Sequence, residues 1–273
     1  LDTFRAGLDL TRRVLDEHRE ALLATGLSDD ERRQAAGQFE TEWGRVNTTD
    51  LAVETIESLI LRPAVESLSE RFADQPTVEA RLRFSLGDQY FSLGRFEQGI
   101  ALMRDASAVL EREFPPEHPV RIRARATLAY YLSSTTGVAE AAPMIDDVLE
   151  RIRAAPDFDA VLALSIKEQA AQVFWAAGML DRALDVARAS WEGSRAALGD
   201  DDPQTLRALQ TLAGVTRESG DFAAARALED EVLERRRRVL GSDSPDTIRS
   251  ISSSANQAWQ ERRIDQALEL FKE

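Results

Sequence analysis

The fold is decided by residues 198–245, which read LGDDDPQTLRALQTLAGVTRESGDFAAARALEDEVLERRRRVLGSDSP. The connector Leu198–Pro203 returns 42 residues later as Leu240–Pro245. A fixed period of this size predicts a stack of helical hairpins, with one hairpin in each repeat. Taking Gly220 as the reference position and stepping outward by 42 residues reaches four further positions: Gly94, Thr136, Gly178 and Arg262.

Two slots of this period hold only small residues. One lies seven residues before each reference position and the other five residues after it. Antiparallel helices approach within ~8–10 Å only where the contact residues are small. We therefore expect buried helix contacts at Gly87, Ala129, Ala171, Ala213 and Ala255 in the first helix of each hairpin (helix A), and at Gly99, Ala141, Ala183, Ala225 and Ala267 in the second (helix B).

The composition is that of a folded, acidic chain. Of its 273 residues 43% are hydrophobic, which is enough for a core, and the absence of cysteine excludes disulfides, thiolate zinc sites and a cysteine nucleophile. A net charge of −14 disfavours nucleic acid and anionic membrane surfaces. Because the chain starts at Leu1 and stops within a predicted helix at Glu273, we expect a fragment of a larger protein. The lack of cysteine favours a reducing compartment, so a cytoplasmic location is expected, and no apolar run approaches the length of a membrane span. We expect no membrane contact, metal or cofactor.

The first part of the chain lies outside the register but still predicts helices. Leu8, Val14, Leu15, Leu22 and Leu23 form an apolar stripe. Ser28 and Glu31 fit a capping box, so a second helix should run from there to about Val46. Asn47–Asp50 predicts a cap for a third helix through Leu61, which Pro63 kinks or restarts.

These observations predict two regions. Residues 1–74 form an N-terminal helical cap or linker, and residues 75–273 form the repeat array. The predicted repeats are about 77–118, 119–160, 161–202, 203–244 and an incomplete 245–273.

The register resembles the tetratricopeptide repeat, which has a small residue in helix A, a glycine-type turn and an alanine early in helix B. The usual repeat has 34 residues. The longer repeat here resembles the kinesin light chain type, whose connector reads Leu-Gly-x-x-His-Pro. His118-Pro119 keeps its last two residues, and Leu240-Gly241 keeps its first two. The resemblance covers 75–273 and implies an all-α solenoid with a right-handed superhelix.

A weaker resemblance concerns residues 59–93. The segments Leu61–Ala64 and Phe72–Pro76, followed by the first repeat, are similar to the entry of repeat arrays attached to bacterial serine/threonine protein kinases. This resemblance implies a kinase domain upstream of the chain. The chain itself contains no phosphate-binding glycine loop or catalytic-loop motif of a kinase.

The candidate binding residues lie on helix A, which lines the concave wall in the tetratricopeptide family. The slot thirteen residues before each reference position holds four arginines. Two other slots of helix A hold aromatic and amide side chains. Together these groups suit an extended acidic peptide. The predicted partner-binding residues are Arg81, Arg123, Arg207, Arg249, Asp88, Phe91, Tyr130, Gln172, Trp175, Arg217, Asn256 and Trp259.

Each candidate also has a plainer interpretation. The arginines could be solvated side chains of an arginine-rich protein, and Trp175 and Trp259 could pack adjacent repeats. The run Arg235–Arg238 follows Glu231 and Glu234 by one turn, which is typical of a solvated outer helix face. His118 is expected to cap helix A of the second repeat, and His18 lies among carboxylates without the geometry of a metal site.

The sequence therefore predicts a non-catalytic module that binds a protein or peptide, as the regulatory part of a larger bacterial protein such as a serine/threonine kinase. Self-assembly into a homo-oligomer through residues 1–74 or the terminal helices is the alternative. An enzyme would need a nucleophile or acid–base pair that the regular repeat does not offer. Nucleic-acid binding would need the arginine slot to overcome the acidic net charge.

Overall fold

The regular secondary structure of the protein is all helical in the residues described by its computed structural model, which are 2–43 and 47–272. The predicted end of the second helix at Val46 and the predicted helical Glu273 lie outside these residues. The helices are α1 (Asp2–Leu23), α2 (Asp29–Trp43), α3 (Thr48–Ile56), a π-helical turn (Glu57–Leu61), α4 (Arg62–Arg71), α5 (Pro76–Ser92), α6 (Phe96–Glu113), α7 (Pro119–Ser133), α8 (Val138–Ala154), α9 (Ala160–Ala176), α10 (Leu180–Leu198), α11 (Pro203–Glu218), α12 (Phe222–Leu240), α13 (Pro245–Gln260) and α14 (Ile264–Lys272). The all-α prediction is confirmed.

Helix A of each hairpin begins where the connector predicts. Proline occupies the first turn of α5, α7, α11 and α13, where its missing N–H is not needed. The His118 ring accepts a hydrogen bond from the backbone N–H of Val120, so its predicted capping role is confirmed. Asp202 caps α11 in the same way, by accepting from the N–H of Gln204 at 2.8 Å.

Four of the five turns between helices A and B have a left-handed backbone at the reference position. Gly94, Gly178 and Gly220 have φ angles of 75°, 72° and 94°. Arg262 takes the same conformation, with φ of 59°. Among the described residues it is the single residue other than glycine that has a positive φ. A side chain in this region clashes with the following carbonyl oxygen, so Arg262 holds a strained turn.

Replacing Arg262 by glycine is expected to raise the free energy of unfolding by about 0.5–1 kcal/mol, because relief of the left-handed strain exceeds the added freedom of the unfolded chain. Urea denaturation followed by circular dichroism measures the change. Thr136→Gly is the matched control, since Thr136 fills the same slot without a positive φ. An equal rise in the free energy of unfolding of both variants would contradict the backbone strain at Arg262.

The predicted small-residue contacts are confirmed. All ten residues of the two slots are buried. Helices α5 and α6 approach closely, because a Cβ added to Gly99 would lie 2.8 Å from the carbonyl oxygen of Gly87. Neither glycine can therefore gain a side chain without separating the two helices.

The chain divides into two compact units, Leu1–Val109 and Leu110–Glu273. In the first unit the capping box is formed, with the Ser28 hydroxyl and backbone N–H both donating to the Glu31 carboxylate. The π-helical turn buries Glu57, which pairs with Arg95 at 2.8 Å. The predicted boundary at residues 74 and 75 remains a proposal.

In the second unit the α9–α12 hairpins share an apolar core. Ala171, Ala187 and Leu212 are buried, with Trp191 and Leu228 packed against them. Polar groups also join α12 and α13. The Arg236 guanidinium, only 2% exposed, donates to Ser250 Oγ at 2.6 Å and to the Asp246 carbonyl oxygen at 3.2 Å.

The prediction of a solvated Arg235–Arg238 face is therefore wrong at Arg236. Its neighbours follow the prediction more closely, because Arg235 pairs with Glu231 at 2.8 Å and Arg238 pairs with Asp201 at 2.6 Å. Four consecutive helical residues point in four directions about 100° apart, so one of them must face the adjacent helix. Here that residue is Arg236.

Candidate binding site

A cavity of about 450 Å³ opens among the helices of the second unit. Apart from Glu229 and Val232 on α12, its lining comes from the helix A elements α7, α9, α11 and α13. We call it the polar cavity. It is lined by Tyr130, Glu168, Gln169, Gln172, Trp175, Arg207, Gln210, Thr211, Gly214, Arg217, Glu229, Val232, Arg249, Ser250, Ser253 and Ser254.

Six of the predicted binding residues meet in this cavity. They are Tyr130, Gln172, Trp175, Arg207, Arg217 and Arg249. Their roles in binding remain predictions, but the helix A register does bring them to one place. The other predicted residues of the second unit, Arg123, Asn256 and Trp259, are exposed and do not line it. In the first unit Arg81 and Asp88 are exposed, and Phe91 is half-buried with its ring 4.7 Å from that of Phe96.

The arginines of the polar cavity differ in how far they are neutralised. Arg207 is exposed and has no ion-pair partner among the described residues. Arg249 is 69% exposed and reaches only Asp246, one turn away, at 3.2 Å. Burial lowers the pKa of the nearby Arg236, and the positive charges of Arg249 and Arg207 lower it further. Arg207 therefore presents a positive charge without an ion-pair partner, and Arg249 presents one that a single carboxylate of its own helix partly offsets.

Two carboxylates lie in the same cavity. Glu168 Oε1 accepts hydrogen bonds from the Thr211 hydroxyl at 2.8 Å and from the Gln172 amide. The side chain of Glu229 is only 10% exposed, and its Oε1 pairs with Arg217 at 2.8 Å. Its second oxygen, Oε2, is buried and has no hydrogen-bond partner among the described residues.

The environment of Glu229 disfavours its charge. Burial raises the pKa of Glu229, and this outweighs the opposing effect of Arg217; Asp230 and Glu261 raise the pKa further, while Arg226 lowers it. One arginine thus offsets only part of the cost of burying this carboxylate, which is the expected behaviour of a buried charge that lacks its full set of hydrogen bonds.

Trp175 both packs and lines the cavity. A Cβ added to Gly214 would lie 2.7 Å from Cη2 of the Trp175 ring, so the ring rests on the glycine of the next helix A. Trp175 therefore packs against the adjacent repeat, as the plainer interpretation expected, and also lines the polar cavity. Trp259, by contrast, is 56% exposed.

Sequence reasoning missed Glu168, Glu229 and the serines of α13 as cavity residues. The register held a signal for Glu229: the equivalent positions in the three preceding repeats are Met103, Ile145 and Ala187, all at most 1% exposed. A carboxylate in a slot that is apolar and buried in the three preceding repeats marks a special position. Ser250 likewise takes the slot of Ile166 and Ala208.

Two further findings bear on the chemistry of the chain. In residues 2–43 and 47–272, no group of three or more histidines, aspartates and glutamates is arranged to hold a metal ion. None of the helices in this part of the chain is both long enough and apolar enough to cross a bilayer. The arrangement of the polar cavity is suited to binding charged and amide groups.

Comparison with known families identifies the repeat. The sequence model of the tetratricopeptide repeat matches residues 205–246, which lie within the stretch that sets the register. No curated protein sequence matches the chain significantly.

Solved structures share the fold. The crystal structure of the Podosopora anserina putative kinesin light chain nearly identical TPR-like repeats aligns with a TM-score of 0.57 at 20% identity, covering 72% of this chain and 93% of that chain. A single-residue variant of those repeats aligns with the same TM-score and identity. BtubC (BKLC) from P. vanneervenii aligns with a TM-score of 0.54 at 17% identity, covering 65% of this chain and 71% of that chain. The predicted tetratricopeptide fold of kinesin-light-chain type is confirmed.

Proposed function

We propose that this chain is a non-catalytic protein-interaction module that binds an extended peptide segment in the polar cavity. The observation that carries the proposal is the convergence of Arg207, Arg249, Gln172 and Trp175 from three different helix A elements on one cavity. Stacked repeats build such surfaces for binding, because the same slot of successive helices faces the same side.

The chemistry of the cavity supports a peptide with acidic groups. Arg207 and Arg249 can donate charge-assisted hydrogen bonds to carboxylates without first breaking a strong ion pair. The amides of Gln169, Gln172 and Gln210 can bind peptide N–H and C=O groups, and Trp175 offers an aromatic surface to side chains.

The test is a selection from a random dodecapeptide library on the immobilised chain, followed by anisotropy titration of each recovered peptide with a neutral fluorophore. For the Arg207→Glu/Arg249→Glu double variant we expect peptide affinity to fall about tenfold or more, because two donors become repelling charges. Circular dichroism verifies that the variant is folded.

The matched control is Arg153→Glu/Arg188→Glu, which makes the same change of net charge at two exposed arginines outside the cavity. Its affinity is expected to equal that of the wild type. Failure to recover any peptide, or equal losses in the two double variants, would refute binding in the polar cavity. The kinase connection, the cytoplasmic location and the self-assembly alternative stay predictions.

A further inference from the structure

The carboxylates of the polar cavity are unexplained by an acidic ligand alone. Glu168 and Glu229 lie beside the arginines, and a ligand with only negative charge would be repelled by both. Glu229 is the more informative of the two. Nine-tenths of its side chain is buried, and Oε2 makes no hydrogen bond with any of the described residues.

An unmade hydrogen bond on a buried carboxylate is costly to the free protein. The preceding repeats avoid that cost by placing Met103, Ile145 or Ala187 in the same slot. Glu229 lines the cavity, so a positively charged group bound at this wall would offset its buried negative charge. The carboxylate that replaces an apolar residue in this slot is therefore the one that a positively charged ligand would contact.

The rings of the cavity favour the same kind of ligand. Trp175 and Tyr130 line it together with Glu168 and Glu229. Aromatic faces attract cations through their quadrupole, and the attraction grows when water is excluded. Carboxylates next to aromatic rings are therefore the surroundings expected for an ammonium or guanidinium group.

We propose that the polar cavity takes a zwitterionic peptide segment, whose lysine or arginine side chain lies among Glu168, Glu229 and Trp175 while a nearby carboxylate of the same peptide binds Arg207 and Arg249. This inference rests on the proposed peptide-binding function and specifies its ligand. It predicts that a purely acidic peptide binds more weakly than one that also carries a basic residue.

The experiment uses the peptides recovered from the dodecapeptide library. Each lysine is replaced by norleucine and each arginine by citrulline, which keep the shape and remove the charge. We expect these neutral forms to bind the wild-type chain about tenfold more weakly. We also expect the Glu229→Gln variant to bind the charged and neutral forms equally.

Glu234→Gln is the matched control, because Glu234 is an exposed carboxylate on the same helix and does not line the polar cavity. It should keep the wild-type preference for the charged peptides. Circular dichroism of both variants verifies that the fold is retained.

A pH series gives a second readout. Because burial raises the pKa of Glu229, the carboxylate is protonated earlier than an ordinary glutamate as the pH falls. The preference for the charged peptide should therefore decline as the pH falls through this raised pKa. Glu168, Asp230 and Glu261 are the other carboxylates near the site, and Arg217 and Arg226 are the arginines that face Glu229. The Glu229→Gln variant, which is expected to show no preference at any pH, is the control for this series.

The outcomes separate the two proposals. If peptides bind in the polar cavity but tolerate norleucine and citrulline without loss, the zwitterionic ligand is refuted and the peptide-binding function stands. If Glu229→Gln keeps the full preference for charged peptides, the place assigned to the cation is wrong. If the library yields no peptide that binds, both proposals fall.

Discussion

Replacing Arg236 by alanine is expected to lower the free energy of unfolding by about 3 kcal/mol. The side chain is 2% exposed and donates to Ser250 Oγ at 2.6 Å and to the Asp246 carbonyl at 3.2 Å. The substitution removes both hydrogen bonds and leaves a space between α12 and α13. Urea denaturation followed by circular dichroism measures the change.

Arg238→Ala is the matched control for this prediction. Arg238 lies on the same helix, is 57% exposed and pairs with Asp201. Surface ion pairs of this kind contribute little, so we expect a change within about 0.5 kcal/mol. A similar loss of unfolding free energy in the two variants would show that the burial and hydrogen bonds of Arg236 do not stabilise the α12–α13 contact.

Replacing Ala213 by leucine is expected to lower the free energy of unfolding by about 2–3 kcal/mol. Ala213 is completely buried and occupies the small-residue slot of α11. Three added carbons have no space there, so α11 would have to move away from its neighbours and weaken the packing around Leu212.

The control for Ala213→Leu is Ala227→Leu on α12, where the alanine is exposed. Leucine is nearly as good a helix former as alanine, so the control should change stability by less than about 0.5 kcal/mol. Far-UV circular dichroism of both variants in urea measures the difference. A stable Ala213→Leu variant would mean that the stack tolerates overpacking at this slot.

The helices and their ends could be predicted because their causes are local. Pro203 and Asp202 start α11 through the fixed φ of proline and a side-chain hydrogen bond two residues away. The buried small residues could be predicted because the period repeats them five times in each slot. A cause that lies within a few residues, or that recurs at a fixed interval, is visible in one sequence.

The arginines thirteen residues before each reference position show what the repeat pattern could not predict. Arg123, Arg207 and Arg249 occupy equivalent positions, yet only Arg207 and Arg249 line the polar cavity. The cavity exists where side chains are small, as at Gly214 and Ser254, and it is bounded by the large Trp175. Its position therefore depends on the volumes of residues from several helices at once, which a single slot does not report.

The sequence by itself determined the helices, the period, the buried small residues and the turn at each reference position, because these follow from local backbone preferences and from repetition. Only the tertiary structure decided which charges are buried. It placed Arg236 between α12 and α13 and Glu229 on the wall of the polar cavity, although both have charged neighbours in the chain. The physical reason is that burial depends on which helix packs opposite a side chain, and residues one position apart face directions about 100° apart.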